Sequence, residues 1–118
     1  MENDIDALTR LNIEIGKRET AGDAEAHAWF EKRLASKLTF RRADLKTFDD
    51  RSDFIRKVAP ADPRDTTVES VVVDGDGAFV KCTVNVHSAA GEKRYRNLRL
   101  FIREQGEWKL LGWANEPI

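Results

Sequence analysis

The sequence predicts an α+β fold, with N-terminal helices packed on an antiparallel sheet. Three observations carry this reading. Apolar residues recur at helical spacing in the first third of the chain. From about Thr67 onward they alternate instead, as strands with one buried face do. The second half is also punctuated by tight-turn signals, Asp74-Gly75-Asp76-Gly77 and Gln105-Gly106. Helices first and strands afterwards is the α+β order.

Ile5, Leu8, Leu11 or Asn12, and Ile15 form one stripe, which predicts a first helix from Ile5 to about Lys17, ended by Gly16 and Thr20-Ala21-Gly22-Asp23. Asp23 can cap a second helix through AEAHAWFEKRLAS, because its carboxylate accepts from the free amides of a first turn. Ala26, Phe30 and Leu34 form its apolar face, with Trp29 beside it. LTFRR, Leu38 to Arg42, alternates as a short strand, with a turn at Ala43-Asp44-Leu45 and a further short strand to Phe48. Asp49 or Asp50 caps a brief third helix presenting Phe54, Ile55 and Val58, which Pro60 and Pro63 stop. The remainder reads as a four-stranded meander: Thr67 to Val73, Ala78 to His87, Arg94 to Arg103, and Trp108 to Asn115.

Composition excludes several classes. The 118 residues suffice for one domain, 1–118, with one core. Net charge is -1, from 20 basic and 21 acidic side chains, so no global field selects nucleic acid or an anionic membrane. The basic side chains from Lys93 to Arg103 alternate between faces and read as a solvated edge. A single cysteine excludes an internal disulfide and fits a reducing compartment. The acidic start MENDIDALTR lacks the order of a signal peptide, and no apolar run reaches membrane-spanning length, so the expectation is cytoplasmic. No metal spacing or phosphate loop is present, and no cofactor is expected.

Strand alternation assigns the faces. Val80, Cys82, Val84 and Val86 share one side of the second meander strand, and Leu98, Leu100 and Ile102 one side of the third. These aliphatic sets are expected to meet the helices. Trp108 and Leu110 fit the same inner side. Trp113 stands five residues after Trp108, so parity places it outside with Phe79, Tyr95, Phe101 and Leu111, unless a bulge intervenes. Thr83, Asn85, Asn97 and Asn115 would add polar groups there. An outer face this aromatic predicts a partner, and a second copy of the chain is the expected one.

Gly22-Asp23 before the second helix, LTFRRAD with Phe54 downstream, and the ending NLRLFIREQGEWKLLGW resemble the nuclear transport factor 2-like superfamily. Within it the chain is similar to small bacterial proteins of the SnoaL-like and calcium/calmodulin-dependent kinase association-domain-like groups. The resemblance implies a cone: a strongly curved sheet wrapped round helices, a pocket at the wide end, and pairing through the outer sheet face. The superfamily includes ketosteroid isomerase, scytalone dehydratase and limonene epoxide hydrolase beside non-enzymatic members, so fold alone does not give activity.

The expected pocket walls are Trp29, Phe30, Phe40, Phe54, Leu98 and Leu100. Arg42 points inward by parity with Leu38 and Phe40, either paired with Asp44, Asp50 or Asp53 or anchoring a ligand carboxylate. Asp44 and His27 are the catalytic candidates. Asp44 falls near where an isomerase base would sit, and His27 lies one position off an apolar helix stripe. The single tyrosine, Tyr95, is expected outside. The resulting reading is a homodimer whose pocket binds a small, mostly apolar organic molecule. The alternatives are an isomerase, cyclase or hydrolase, and a pure association module. Several polar side chains converging in an open pocket would favour chemistry, and a filled pocket would favour association.

Overall fold

The computed structural model describes residues 2–118. Helix α1, Asp4–Ala21, starts at Asn3, whose side chain accepts from the Asp6 amide, and ends at Gly22 in the left-handed region (φ 54°). It therefore runs through Gly16, the expected stop. Gly16 is kept for closeness: a Cβ there would lie 2.8 Å from Thr66 Oγ1. Helix α2, Ala24–Arg33, is capped by Asp23 as expected, but ends before the predicted LAS because Leu34 already has extended dihedrals.

Strands β1, Leu34–Arg41, and β2, Phe48–Asp50, precede α3, Arg51–Lys57, which a reciprocal capping box between Asp50 and Asp53 initiates. The meander follows as β3, Arg64–Asp74; β4, Gly77–Ser88; β5, Gly91–Glu104; and β6, Glu107–Pro117. The six strands form one sheet in the order β2-β1-β6-β5-β4-β3. β1 lies parallel to β6, a pairing that closes the first half of the chain onto the last strand. Helices pack against this curved, mostly antiparallel sheet, an α+β cone. Bulges in β3 and β6 accentuate the bend.

The core runs between helices and concave face. Leu8, Ile15, Phe30, Leu38, Val80, Cys82 and Leu110 are all at most 2% exposed. Ala26, Phe30 and Leu34 are buried as the α2 stripe requires, and β4 buries Val80, Cys82 and Val84.

Strand β5 reverses the expected parity. Cys82 pairs with Asn97, Val80 with Arg99 and Ala78 with Phe101, so Asn97, Arg99 and Phe101 face inward. Leu98 and Leu100 therefore lie on the convex face, with Leu100 48% exposed, and neither lines an inner pocket. In β6, Phe101 pairs with Leu110 and Leu100 with Gly112, leaving Leu111 as the extra residue of a bulge. That one residue returns Trp113 to the inside, where it is 4% exposed. Trp113 and Phe101 are therefore core residues rather than outer-face ones, and Trp108 and Trp113 share the concave side. No helix among the described residues is long and apolar enough to cross a membrane.

Candidate functional site

Two adjoining hollows open between the end of α1, the end of β1, the start of β3 and the concave faces of β5 and β6. One, of about 230 Å³, is bordered by Phe40, Arg42, Val84, Tyr95, Asn97, Trp113 and Asn115. The other, of about 160 Å³, is bordered by Arg42, Phe54, Lys57 and Val58. Glu19, Arg42 and Arg64 belong to both.

The aromatic wall is built first. Phe40 stacks on Trp113 with centroids 4.3 Å apart and planes 23° from parallel. Phe54 leans on both, at 5.8 Å from Phe40 and 5.5 Å from Trp113. Arg42 lies 4.8 Å over Phe40, so its stem and guanidinium continue the wall. Its Nε donates to Asp49 Oδ2 at 2.6 Å, while Lys57 Nζ donates to Asp49 Oδ1 at 2.8 Å. The partner of Arg42 is thus Asp49, which strand pairing of β1 with β2 brings across from Phe40, and not Asp44, Asp50 or Asp53. Burial pushes the Asp49 carboxyl up, but the two cations outweigh it and hold it below the ordinary value.

Glu19 stands opposite. Its carboxylate is 3.5 Å from Arg64 Nη1. Glu19 borders the hollow and is half-buried, with its side chain 20% exposed. Desolvation raises its pKa, with Arg64, Arg99 and Arg42 opposing less strongly.

Arg99 lies beneath, 1% exposed, and among the described residues no carboxylate is in ion-pair contact with it. Nη1 donates to Asn12 Oδ1 at 3.0 Å and Nη2 to Asn97 Oδ1 at 2.9 Å, and the guanidinium sits 4.6 Å over the Trp113 ring. Its Nε has no hydrogen-bond partner among the described residues. Burial pushes the Arg99 pKa down from its usual value, with the acidic neighbours opposing. Four cations, Arg42, Lys57, Arg64 and Arg99, thus surround two carboxylates, Glu19 and Asp49, beside an aromatic wall.

Of the expected walls, Phe40, Arg42 and Phe54 come together here. Phe30 is fully buried against Phe54 at 4.9 Å, and Trp29 is flanked by Arg18 and Arg33, so neither borders the hollows. Asp44 is exposed in its turn, where it accepts from Lys46 N, Thr47 N and Thr47 Oγ1. These bonds hold it at about 2. His27 Nε2 is 3.0 Å from the Val58 carbonyl, tying α2 to the end of α3. Neither catalytic candidate reaches the hollows. Asn115 and Tyr95 line the inside instead of the outer face. Phe79, Thr83, Asn85 and Leu111 remain on the convex side, where Thr83 bonds Glu69 and Asn85 accepts from Arg94 at 3.1 Å.

Sequence reasoning missed Glu19, Arg64 and Arg99, and set Asn97 on the outer face, whereas it points inward. A signal existed on α1: Leu8, Asn12, Ile15 and Glu19 continue one stripe at helical spacing, and polar residues on a buried stripe mark a polar interior. A surface trough of about 590 Å³ near Leu34, Asp50, Arg51 and Glu107 is a different feature. Arg51 there already donates to the Glu31 carbonyl and Lys109 to that of Lys32.

No family model and no curated protein matches this sequence. Solved structures do. An NTF-2 like protein of unknown function from Silicibacter pomeroyi is 19% identical, with all of both chains covered and a TM-score of 0.75. The CaMKII hub of S. rosetta is 19% identical over 100% of this chain and 99% of that one, at 0.72. A protein proposed to be a ketosteroid isomerase from Parabacteroides distasonis is 16% identical over 100% and 95%, at 0.74. The chain has the nuclear transport factor 2-like fold.

Proposed function

We propose that the chain is a small pocket protein whose paired hollows bind a small organic acid, its apolar body against Phe40, Phe54 and Trp113 and its carboxylate toward Arg42 and Arg64. The excess of cations over carboxylates beside an aromatic wall carries this reading. An anionic ligand would supply the counter-charge that the chain lacks. At about 230 and 160 Å³, each hollow alone falls below the roughly 300–1,000 Å³ of pockets for drug-sized ligands and the pair lies at the lower end of that range, so the ligand has about one ring. Calorimetric titration with benzoate and with benzyl alcohol tests this. Benzoate should bind more tightly, and Arg42→Met should weaken benzoate by about tenfold or more while leaving the alcohol unchanged, as loss of a charged hydrogen bond does. Equal affinity for both probes in the parent would refute the reading.

The same protein is proposed to be a homodimer through the convex sheet face. Val72, Phe79 and Leu100 are 61%, 38% and 48% exposed and lie together with Ile102 and Leu111. An apolar patch in the middle of a sheet needs a cover. The hub among the structural neighbours supports self-association as a use of this fold.

A second reading, proton transfer, is favoured by one observation: Glu19 has a raised pKa and faces Tyr95 and Asn97 across the hollow. Exchange of ligand α-hydrogens for deuterium, lost in Glu19→Gln, would support it. Absence of exchange with any bound carbonyl acid would exclude it.

A further inference from the structure

The hydrogen bonds beneath the hollow dictate which way its amides point. Arg99 is a donor only, and its Nη2 donates to Asn97 Oδ1 at 2.9 Å. Trp113 Nε1, also a donor only, donates to the same atom at 2.6 Å. Two pure donors on one atom require that atom to be the carbonyl oxygen, so the amide cannot be turned over. Arg99 is fixed from its other side too. It donates to Asn12 Oδ1 at 3.0 Å and to the Asn12 carbonyl at 3.3 Å, while Asn12 Nδ2 donates to the Leu8 carbonyl at 2.7 Å.

Asn97 must then turn its NH2 group away from Arg99. Nδ2 donates to Asn115 Oδ1 at 3.3 Å, which makes the Asn115 oxygen an acceptor and its nitrogen the next donor in line. Among the described residues no acceptor takes that second nitrogen. Both asparagines border the hollow. A buried cation thus polarises a short relay of amides.

We propose that Arg99 and the Trp113 indole N–H set the specificity of the hollow: acting through Asn97, they lock two side-chain amides with N–H groups toward the ligand, which selects a polar end that only accepts hydrogen bonds, a carboxylate. Asn97 and Asn115 are the contacting donors, and Arg99 and the Trp113 indole N–H position them. The proposal rests on the reading of the hollow as a ligand site.

Two variants test it with neutral and charged probes. Arg99→Met together with Trp113→Phe keeps a long apolar stem and an aromatic ring and removes both donors that hold Asn97 Oδ1, and buried charges replaced by apolar groups of similar volume are commonly tolerated. Acetophenone only accepts and indole only donates, and neither responds to the lost charge. The parent should favour acetophenone over indole relative to the variant by about tenfold, the worth of one well-made hydrogen bond. Asn97→Asp keeps the oxygen that Arg99 and Trp113 need, gives Arg99 an anion, and replaces the donor by a second oxygen. It should melt at or above the parent temperature, lose benzoate binding by at least tenfold, and gain benzamidine. An acetophenone-to-indole ratio unchanged in the Arg99→Met, Trp113→Phe double variant would overturn the proposal while leaving the site intact. A parent that binds none of these probes would overturn the site itself and the proposal with it. Should the double variant fail to fold, retention of full benzoate affinity in a folded Asn97→Asp would overturn it.

Discussion

Glu19→Gln separates the electrostatics of the hollow from its shape, because glutamine keeps the size and an oxygen able to accept from Arg64. Glu19 lies 3.5 Å from Arg64 Nη1. A ligand carboxylate that engages Arg64 from its free side comes to about 6 Å from the Glu19 carboxylate. Two like charges at ~6 Å repel by about 0.7 kcal/mol in bulk water and about 3 kcal/mol at an effective dielectric of 20. Removing the Glu19 charge should therefore tighten benzoate by roughly 3- to 100-fold at pH 7. In the parent, affinity should rise as pH falls and Glu19 takes up a proton. The variant should lose that dependence.

Stability supplies a second reading of the same change. The folded pKa of Glu19 is raised, first by burial. Between the unfolded value, about 4.3, and the folded one, the native state holds more protons than the unfolded state. Stability then falls as pH rises through that window, and the full deficit persists above it. Glu19→Gln should raise stability at pH 7 and remove this slope, measured by urea denaturation from pH 4 to pH 8. Weaker benzoate binding in the variant would mean that Glu19 holds the ligand instead of competing with it. Lower stability at pH 7 would mean that the ion pair with Arg64 outweighs burial. Either result refutes the reasoning.

Leu100→Asp places a charge at the centre of the convex patch, where a central apolar residue commonly contributes about 2 kcal/mol or more; sedimentation should show two subunits for the parent and one for a folded variant. Asp49→Asn removes the shared anion of Arg42 and Lys57, which costs about 3 kcal/mol by urea denaturation, near the lower end for a broken buried pair because both cations can rehydrate. Because the Asp49 pKa is lowered, its contribution is present above the unfolded carboxylate value and lost as pH falls through the folded one, so the acid limb should flatten in the variant. Gly22→Ala forces a Cβ to 2.0 Å from the Ala59 carbonyl carbon at a φ of 54°, so it should cost well over about 1 kcal/mol and lower Tm by at least ~4 °C in a thermal melt.

Local chemistry was legible where one physical signal dominated. Asp23 and the Asp50 alternative were readable as caps because only a short acceptor side chain satisfies first-turn amides. The meander turns were readable because Gly75 and Gly106 supply positive φ. The parallel pairing of β1 with β6 was not readable, because LTFRR carries no mark of its distant neighbour. The bulge at Leu111 was not readable either, and a single inserted residue exchanged the faces of Trp113 and Asn115. Arg42 was placed correctly by parity with Phe40, yet its partner Asp49 was missed, because that contact depends on β2 folding back beside β1.

Strand β5 explains why the site itself was misjudged. Hydrophobicity alone sends Leu98, Leu100 and Ile102 inward, and in a strand that serves only a core it would be right. Here the concave side takes Tyr95, Asn97, Arg99 and Phe101. A strand has a period of two, so giving one face to a polar cavity obliges the intervening residues to point out. The aliphatic residues exposed on the convex side are the geometric complement of the donors inside. The proposed acid site and the proposed subunit contact are therefore one decision about the register of β5, read from its two faces. Shifting that register by one residue would bury Leu98 and Leu100, expel Arg99, and abolish both. The exposed Leu100 and the buried Arg99 are adjacent residues, and each is intelligible only through the other.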